Sequence, residues 1–233
     1  IIGDHHRSDD VLPDSVAVLD SKRDDDTYPY KDLAGCGVAF KLAQAFAKKN
    51  KIPSDELYNY LDLVVVSIAS DIVPITGENR ILAYYGLRLI NSKPRPGLEA
   101  ILDSANVKRR PKALYNINKS IFSKELTIND LVFIIGPRIN AAGRLENGKT
   151  SVELLNSDSL EDAKVIAKKI NDINKERRNL DNIATMEALD MLSKDITTLN
   201  KKTTVVYNPK WFKGVVGIVA SRLTEIYYRP TIV

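Results

Sequence analysis

Cysteine is almost missing from this chain of 233 residues. Cys36 stands alone, which excludes an intrachain disulfide framework and a zinc site built from several thiolates, and suits a reducing compartment such as the cytoplasm. Histidine is as scarce, with only His5 and His6, and tryptophan occurs once, at Trp211. No apolar run approaches the ~20 residues that a membrane-spanning helix needs, so no membrane role is expected. Neither sign of charge dominates: 34 basic against 30 acidic side chains give +4 and a pI near 9.0. That is a mild lean toward polyanions which many soluble proteins share. Internal repeats and low-complexity tracts are absent as well. What is present is a globular composition, 44% hydrophobic and 27% charged, with length enough to bury a core, which excludes a disordered chain.

The ends read as cuts through regular structure. Ile1-Ile2-Gly3 has the character of a buried strand running into a polar loop, and Thr231-Ile232-Val233 that of a strand at its start, so the sequence predicts an internal segment of a longer protein. Between them, strands are expected at Ser15–Leu19, at the β-branched run Leu63–Ile68, and at Thr203–Tyr207. Leu131–Ile135 forms a second buried apolar run. Helices are expected from Leu33 through Phe46, over Asp55–Tyr60, Asn79–Ile90 and Leu98–Leu102, and from Val215 to Ile226. The stretch Leu160–Leu192 holds neither Pro nor Gly and predicts one long helix. The alternation predicts an α/β architecture with a parallel sheet. It divides into an α/β domain over 1–156, a long connecting helix over 157–200, and the start of a second α/β domain over 201–233. On the long helix, Lys164, Lys168, Lys175 and Arg178 share one face. Val165, Ile166, Ile170, Ile173, Leu180 and Ile183 are expected on the buried one. The basic face is either solvated or a surface along which a phosphate backbone runs.

The chemistry concentrates in a few places. Asp4-His5-His6 sets both histidines directly after a carboxylate at the expected C-terminal end of a strand, where α/β folds place their sites. Imidazole and carboxylate together suit a divalent cation such as manganese; a surface histidine pair is the alternative. Asp71 follows the apolar run Leu63–Ile68 by three residues and is a second acidic candidate on the same rim, with helix capping as its other use. Gly136–Arg144 combines Arg138, Asn140 and Arg144 with small residues, and reads either as an anion cradle or as a turn carrying two solvated arginines. Arg222, inside the helix after Trp211-Phe212-Lys213-Gly214, is a further phosphate candidate. Trp211 itself is expected in a core, with base stacking as the other possibility. Gly35 and Gly37 are read as helix-packing residues, and Cys36 as buried rather than nucleophilic.

Five ordered motifs are now in hand: Ile2–His6, Leu33–Phe40, Ser70–Pro74 followed by Gly77–Arg80, Gly136–Leu145 and Gly214–Arg222. In that order they closely resemble the RecJ single-strand-specific exonucleases of the DHH phosphoesterase superfamily, over essentially the whole chain. The resemblance implies an α/β DHH catalytic domain joined by a long helix to a DHHA1-type DNA-binding domain, with single-stranded DNA threaded between them. It implies removal of mononucleotides from the 5′ end in DNA repair and recombination. The site would hold two Mn2+ or Mg2+ ions in the full-length protein, and a single-strand-binding protein and a helicase would be partners. By the same resemblance His5 and Asp71 are metal ligands, His6 acts on the scissile phosphate, and Asp4 is a ligand or orienting partner; Arg138 and Arg144 contact DNA phosphates. The family's Asp-x-Asp loop and a further acidic motif precede the matched region, and its glycine-rich motif would follow Val233, so the chain alone is expected to be inactive. Phe212 stands where the family often has His. A DHH phosphodiesterase for short oligonucleotides or cyclic dinucleotides, or a catalytically incomplete single-strand-binding module, are the competing readings.

Overall fold

Strand β1 (Ile2–Gly3) runs parallel to β2 (Val18–Leu19), with Ile2 opposite Val18 and Gly3 opposite Leu19. This pairing belongs to a computed structural model that describes residues 1–111, 113, 115, 120–195 and 201–233. A second parallel pair, β3 (Thr204–Val205) and β4 (Thr231–Ile232), is joined through helix α10 (Lys213–Tyr227), the crossover that parallel strands require. Among the described residues these two pairs are all the sheet there is, and the molecule is mostly helical. Among the described residues the parallel sheet expected from the sequence is thus limited to two short parallel pairs.

The difference has a local cause. The run Leu63–Ile68, expected as a strand, lies inside helix α3 (Leu61–Asp71). An unbroken apolar run carries no period of its own and fits a helix buried on all sides as well as a central strand. Here Leu61, Val64, Val65, Ile68 and Ala69 are buried at helical spacing. Asp62 in the first turn favours the helix N-terminus and is itself buried, held by Arg95 through Nε at 2.6 Å and Nη2 at 2.7 Å.

The second apolar run, Leu131–Ile135, is buried only at Leu131 and Ile135, with Phe133 exposed. It is a π-helical turn that continues α6 (Ile128–Asp130) into α7 (Gly136–Leu145), so Gly136–Arg144 is helix and neither a loop cradle nor a turn. Thr127 starts this run with a reciprocal cap: its hydroxyl accepts the Asp130 N–H at 3.4 Å, and the Asp130 carboxylate accepts the Thr127 N–H at 2.8 Å. Thr127→Ala is expected to lower stability by about 1 kcal/mol, read as a reduced urea midpoint with an unchanged m-value.

The remaining helices of the first half lie close to where periodicity places them: α1 (Gly35–Asn50), α2 (Asp55–Tyr58), α4 (Gly77–Ser92) and α5 (Pro96–Ser104). A short α8 (Lys149–Leu155) precedes α9 (Leu160–Lys194), the long helix expected from the absence of Pro and Gly. Ser159 caps it, accepting the Asp162 N–H at 3.1 Å. Its buried side overlaps the one the large aliphatics predict, with Ile170 and Ile173 buried and Ile166 and Leu180 half-buried, but it extends onto a row of alanines. Ala163, Ala167, Ile170, Ala184 and Ala188 are buried, whereas Val165 is 73% and Ile183 55% exposed. Alanines allow the close approach, and counting only bulky side chains rotates the inferred face away from them. Residues 196–200, the end of the expected connecting segment, lie outside the described residues.

The chain divides into two compact units. The first comprises Ile1–Pro137 with Leu154–Ala167, and its interior includes Ile68, Ile90, Leu98, Ile101, Phe122, Leu131 and Ile135. The second comprises Arg138–Glu153 with Lys168–Val233 and is built on Ala184, Ala188, Leu192, Val206, Val219 and Leu223, with Trp211 packed against them. No helix among the described residues is long and apolar enough to cross a membrane.

Candidate metal centre and arginine cluster

Asp4 leaves the end of β1 with its N–H bonded to the Leu19 carbonyl at 3.0 Å. Its Oδ1 turns back to accept the backbone N–H of His5 at 2.6 Å and of His6 at 3.1 Å, and lies 2.8 Å from His6 Nδ1. These bonds, those from His6 foremost, hold the Asp4 carboxyl down to about 2, so it is ionised at any working pH. The same contact fixes the His6 ring, which is 76% exposed, with Nδ1 toward Asp4. The His5 ring packs beside it at a centroid distance of 4.3 Å.

Asp71 arrives from a different element. It is the last residue of α3, followed by Ile72 in the left-handed region (φ 53°), which ends the helix there. Its Oδ2 lies 3.7 Å from His5 Nε2 and accepts a long hydrogen bond from the Ser67 hydroxyl one turn earlier, at 3.4 Å. Ser67 in turn accepts the Cys36 N–H at 3.4 Å, tying α3 to the first turn of α1. A Cβ on Gly35 would sit 3.4 Å from His5 Cδ2, in ordinary contact, so the start of α1 lies against that ring. Cys36, expected to be buried, is exposed, because the helix turns Gly37 and Val38 inward instead.

The structure thus brings Asp71 to His5 and Asp4 to His6. The donor atoms of Asp4, His5 and His6 all lie within 4.8 Å of one another. Two donors held at ~2.1 Å by one small divalent cation stand at most ~4.2 Å apart, and the 3.7 Å between His5 Nε2 and Asp71 Oδ2 falls inside that limit. His5 Nδ1 is buried with no hydrogen-bond partner among the described residues. Nitrogen and carboxylate donors of this kind fit a borderline or hard divalent cation.

The predicted phosphate contacts lie in the second unit. Arg138, half-buried on α7, donates from Nε to Asn171 Oδ1 at 3.1 Å; burial first, then neighbouring Arg178, lowers its pKa. Asn140 and Arg144 are exposed at i and i+4 on another face of α7, and Arg144 Nη1 donates to the Gly214 carbonyl at 3.3 Å. Gly214 is obligatory there, since a Cβ would stand 2.2 Å from the Arg144 carbonyl oxygen. Arg222 is not free in solvent: it pairs with the fully buried Asp181 at 2.6 Å and donates to Asn182 at 3.0 Å.

Two members of this cluster escaped the sequence reading, Arg177 and Asp181. Arg177 donates to Asp181 at 3.1 Å and to Asn174 at 3.0 Å. Its pKa is lowered by burial, which outweighs Asp181, with Arg178, Arg144 and Arg222 adding to the effect. The i, i+4 spacing of Arg177 and Asp181 on α9 was the available signal. Several guanidiniums therefore share the field around one buried carboxylate, an arrangement that attracts anions. Trp211, as expected, packs on the core of this unit, and its indole N–H donates to Glu187 at 2.7 Å.

No family model matches. The single-stranded-DNA-specific exonuclease RecJ of Salmonella typhimurium is 37% identical over 246 residues, covering all of this chain and 40% of the relative. That of Bacillus subtilis is 38% identical over 233 residues, covering 27% of the relative. Among solved structures, an exonuclease RecJ bound to manganese superposes with a TM-score of 0.77 at 27% identity, covering 98% of this chain and 52% of the other. RecJ from Thermus thermophilus in complex with Mn2+ gives 0.70 at 28% identity, covering 87% and 28%.

Proposed function

This chain is a homologue of the RecJ single-stranded-DNA-specific exonucleases, spanning about 40% of the length of the Salmonella relative, and we propose that it carries part of a metal-dependent 5′→3′ exonuclease site for single-stranded DNA. The observation that carries the reading is the convergence of Asp71, from the end of α3, on His5 of the Asp4-His5-His6 turn. His5 and Asp71 would hold a divalent cation, Mn2+ or Mg2+, with a second expected in the full-length protein. When bound, such a cation supplies Lewis-acid polarisation of a phosphoryl oxygen and activation of water.

The chain's own groups do the rest. Asp4 holds the His6 ring by Nδ1, leaving Nε2 toward solvent. From there it can donate to a phosphate oxygen when protonated or accept a proton when neutral. His5, largely buried, is fixed between its neighbour's ring and Asp71. Arg138, Asn140, Arg144 and Arg222 would bind the phosphates of the strand, with Arg177 and Asp181 holding Arg222 and its neighbours in place. The catalytic part is assigned to 1–156, the connecting helix to 157–200 and the opening of a DNA-binding domain to 201–233. The setting proposed is DNA repair and recombination in the cytoplasm, alongside a single-strand-binding protein and a helicase.

The test is Mn2+-dependent release of mononucleotides from 5′-phosphorylated single-stranded DNA by the full-length protein. Release is expected to vanish in His5→Ala and to be poor on duplex. Strand binding that is indifferent to Mn2+ and yields no release would make the segment a binding module instead. Arg138→Ala is expected to weaken single-strand binding and to lower the slope of log K against log salt by about one unit. An unchanged slope would leave Arg138 a structural role alone.

A further inference from the structure

Helix α4 buries Leu82, Ala83, Gly86 and Ile90 and turns a different set of residues to water. Ile81 is 58% exposed, and Tyr84 and Tyr85 are each 54% exposed. With Arg88 they fall at i, i+3, i+4 and i+7, one continuous stripe. The two tyrosine rings meet edge to face at 5.1 Å, and the Arg88 guanidinium lies 5.6 Å from the Tyr84 ring centre while Nη1 donates to the Tyr84 hydroxyl at 3.0 Å. A second exposed cation, Arg80, stands one turn before Tyr84.

The surroundings lack any counter-charge from the helix itself. From Asn79 to Leu98 the sequence has no Asp or Glu. Glu78, the one acid of α4, is taken up by the Tyr28 hydroxyl at 2.6 Å and by an ion pair with Lys41. A row of half-exposed rings bracketed by guanidiniums is complementary to a polyanion that carries flat groups. We infer that the Arg80–Arg88 face of α4 is a stacking track for single-stranded nucleic acid, with bases on Tyr84 and Tyr85 and phosphates on Arg80 and Arg88.

An acidic peptide fits less well. Amphipathic peptides dock in grooves, whereas this stripe is the convex ridge of a helix, which offers bases a surface to lie on but gives an apolar peptide face nothing to enter. The track begins nine residues after Asp71 (80 − 71) and within the same unit, so it deepens the proposed function by adding a contact for the strand, and it rests on that reading.

The experiment is fluorescence anisotropy of labelled oligothymidylate with the 233-residue chain, its Tyr84→Ala/Tyr85→Ala and Tyr84→Phe/Tyr85→Phe forms, and Arg138→Ala. Circular dichroism checks that each folds. The double alanine variant is expected to bind about tenfold or more weakly. The double phenylalanine variant, which keeps both rings, is expected to bind like the parent. Oligonucleotides carrying 5-iododeoxyuridine are expected to photocrosslink to Tyr84 or Tyr85. Unchanged binding in the alanine variant, with Arg138→Ala weakened, would overturn the track and leave the proposed function standing. Polyglutamate competing as well as oligothymidylate would overturn it in favour of an acidic polypeptide. No binding by the parent chain would overturn both.

Discussion

Asp71→Ala is expected to weaken Mn2+ binding by at least about tenfold in calorimetric titration while leaving the melting curve unchanged. Asp71 Oδ2 is one of two donors, with His5 Nε2 at 3.7 Å, that a cation can join across two elements. Removing even an outer contact of a metal site costs ~10–100-fold in affinity, and a ligand costs no less. Stability should not follow, because the side chain is 40% exposed and its one hydrogen bond, from Ser67, is long. Ser67 and Cys36 keep their own contact when the carboxylate is gone, so the variant isolates the metal. An unchanged dissociation constant would remove Asp71 from the centre, and a fall in melting temperature of many degrees would make it a structural residue.

Gly86→Ala is expected to carry a large cost in stability. A Cβ there would stand 2.3 Å from the Leu61 carbonyl oxygen and 2.7 Å from Val65 Cβ. Neither can give way, since one is helix backbone and the other the first side-chain carbon of a fully buried residue. The helices α3 and α4 must separate. Overpacking of this kind costs roughly 1–3 kcal/mol or more, which outweighs the ~1 kcal/mol that alanine gains over glycine as a helix former. A melting temperature lower by roughly 5 °C is expected. Because α3 ends on Asp71, Mn2+ affinity should fall with it, although Gly86 touches none of the candidate ligands. A variant that melts with the parent would mean that the contact is looser than the geometry gives.

These two substitutions mark what the sequence could and could not disclose. The candidate site at Asp4-His5-His6 is legible because scarce residue types cluster: two histidines in the whole chain, adjacent and behind a carboxylate. Asp71 was found through a wrong premise. It was placed at the edge of a strand that is in fact α3, and it still meets His5, because a helix ending at Ile72 delivers its last side chain to the same place. Leu63–Ile68 reads as a strand because a continuous apolar run has no period to separate a buried helix from a buried strand.

The long helix is legible from the absence of Pro and Gly, but its inward face only in part: Ile170 and Ile173 mark it, whereas Ala163, Ala167, Ala184 and Ala188 count for little on a hydrophobic wheel and pack most closely. Arg222 is a phosphate candidate in the sequence, but its local pattern does not show the carboxylate that positions it. Its pairing with Asp181 joins residues 41 apart in sequence (222 − 181), which no local pattern encodes.

The central proposal is that His5 and Asp71, beside Asp4 and His6, hold a divalent cation, and the chain offers a direct view of it because it has only two histidines. Histidine ring correlations in an ¹⁵N-labelled sample, followed by NMR during titration with Mn2+, report both rings without interference. The account predicts that substoichiometric Mn2+ broadens the His5 and His6 ring signals before those of any distant group, and that Asp71→Ala shifts this to higher Mn2+. Ring signals that stay sharp at one equivalent of Mn2+ while signals elsewhere broaden would contradict it.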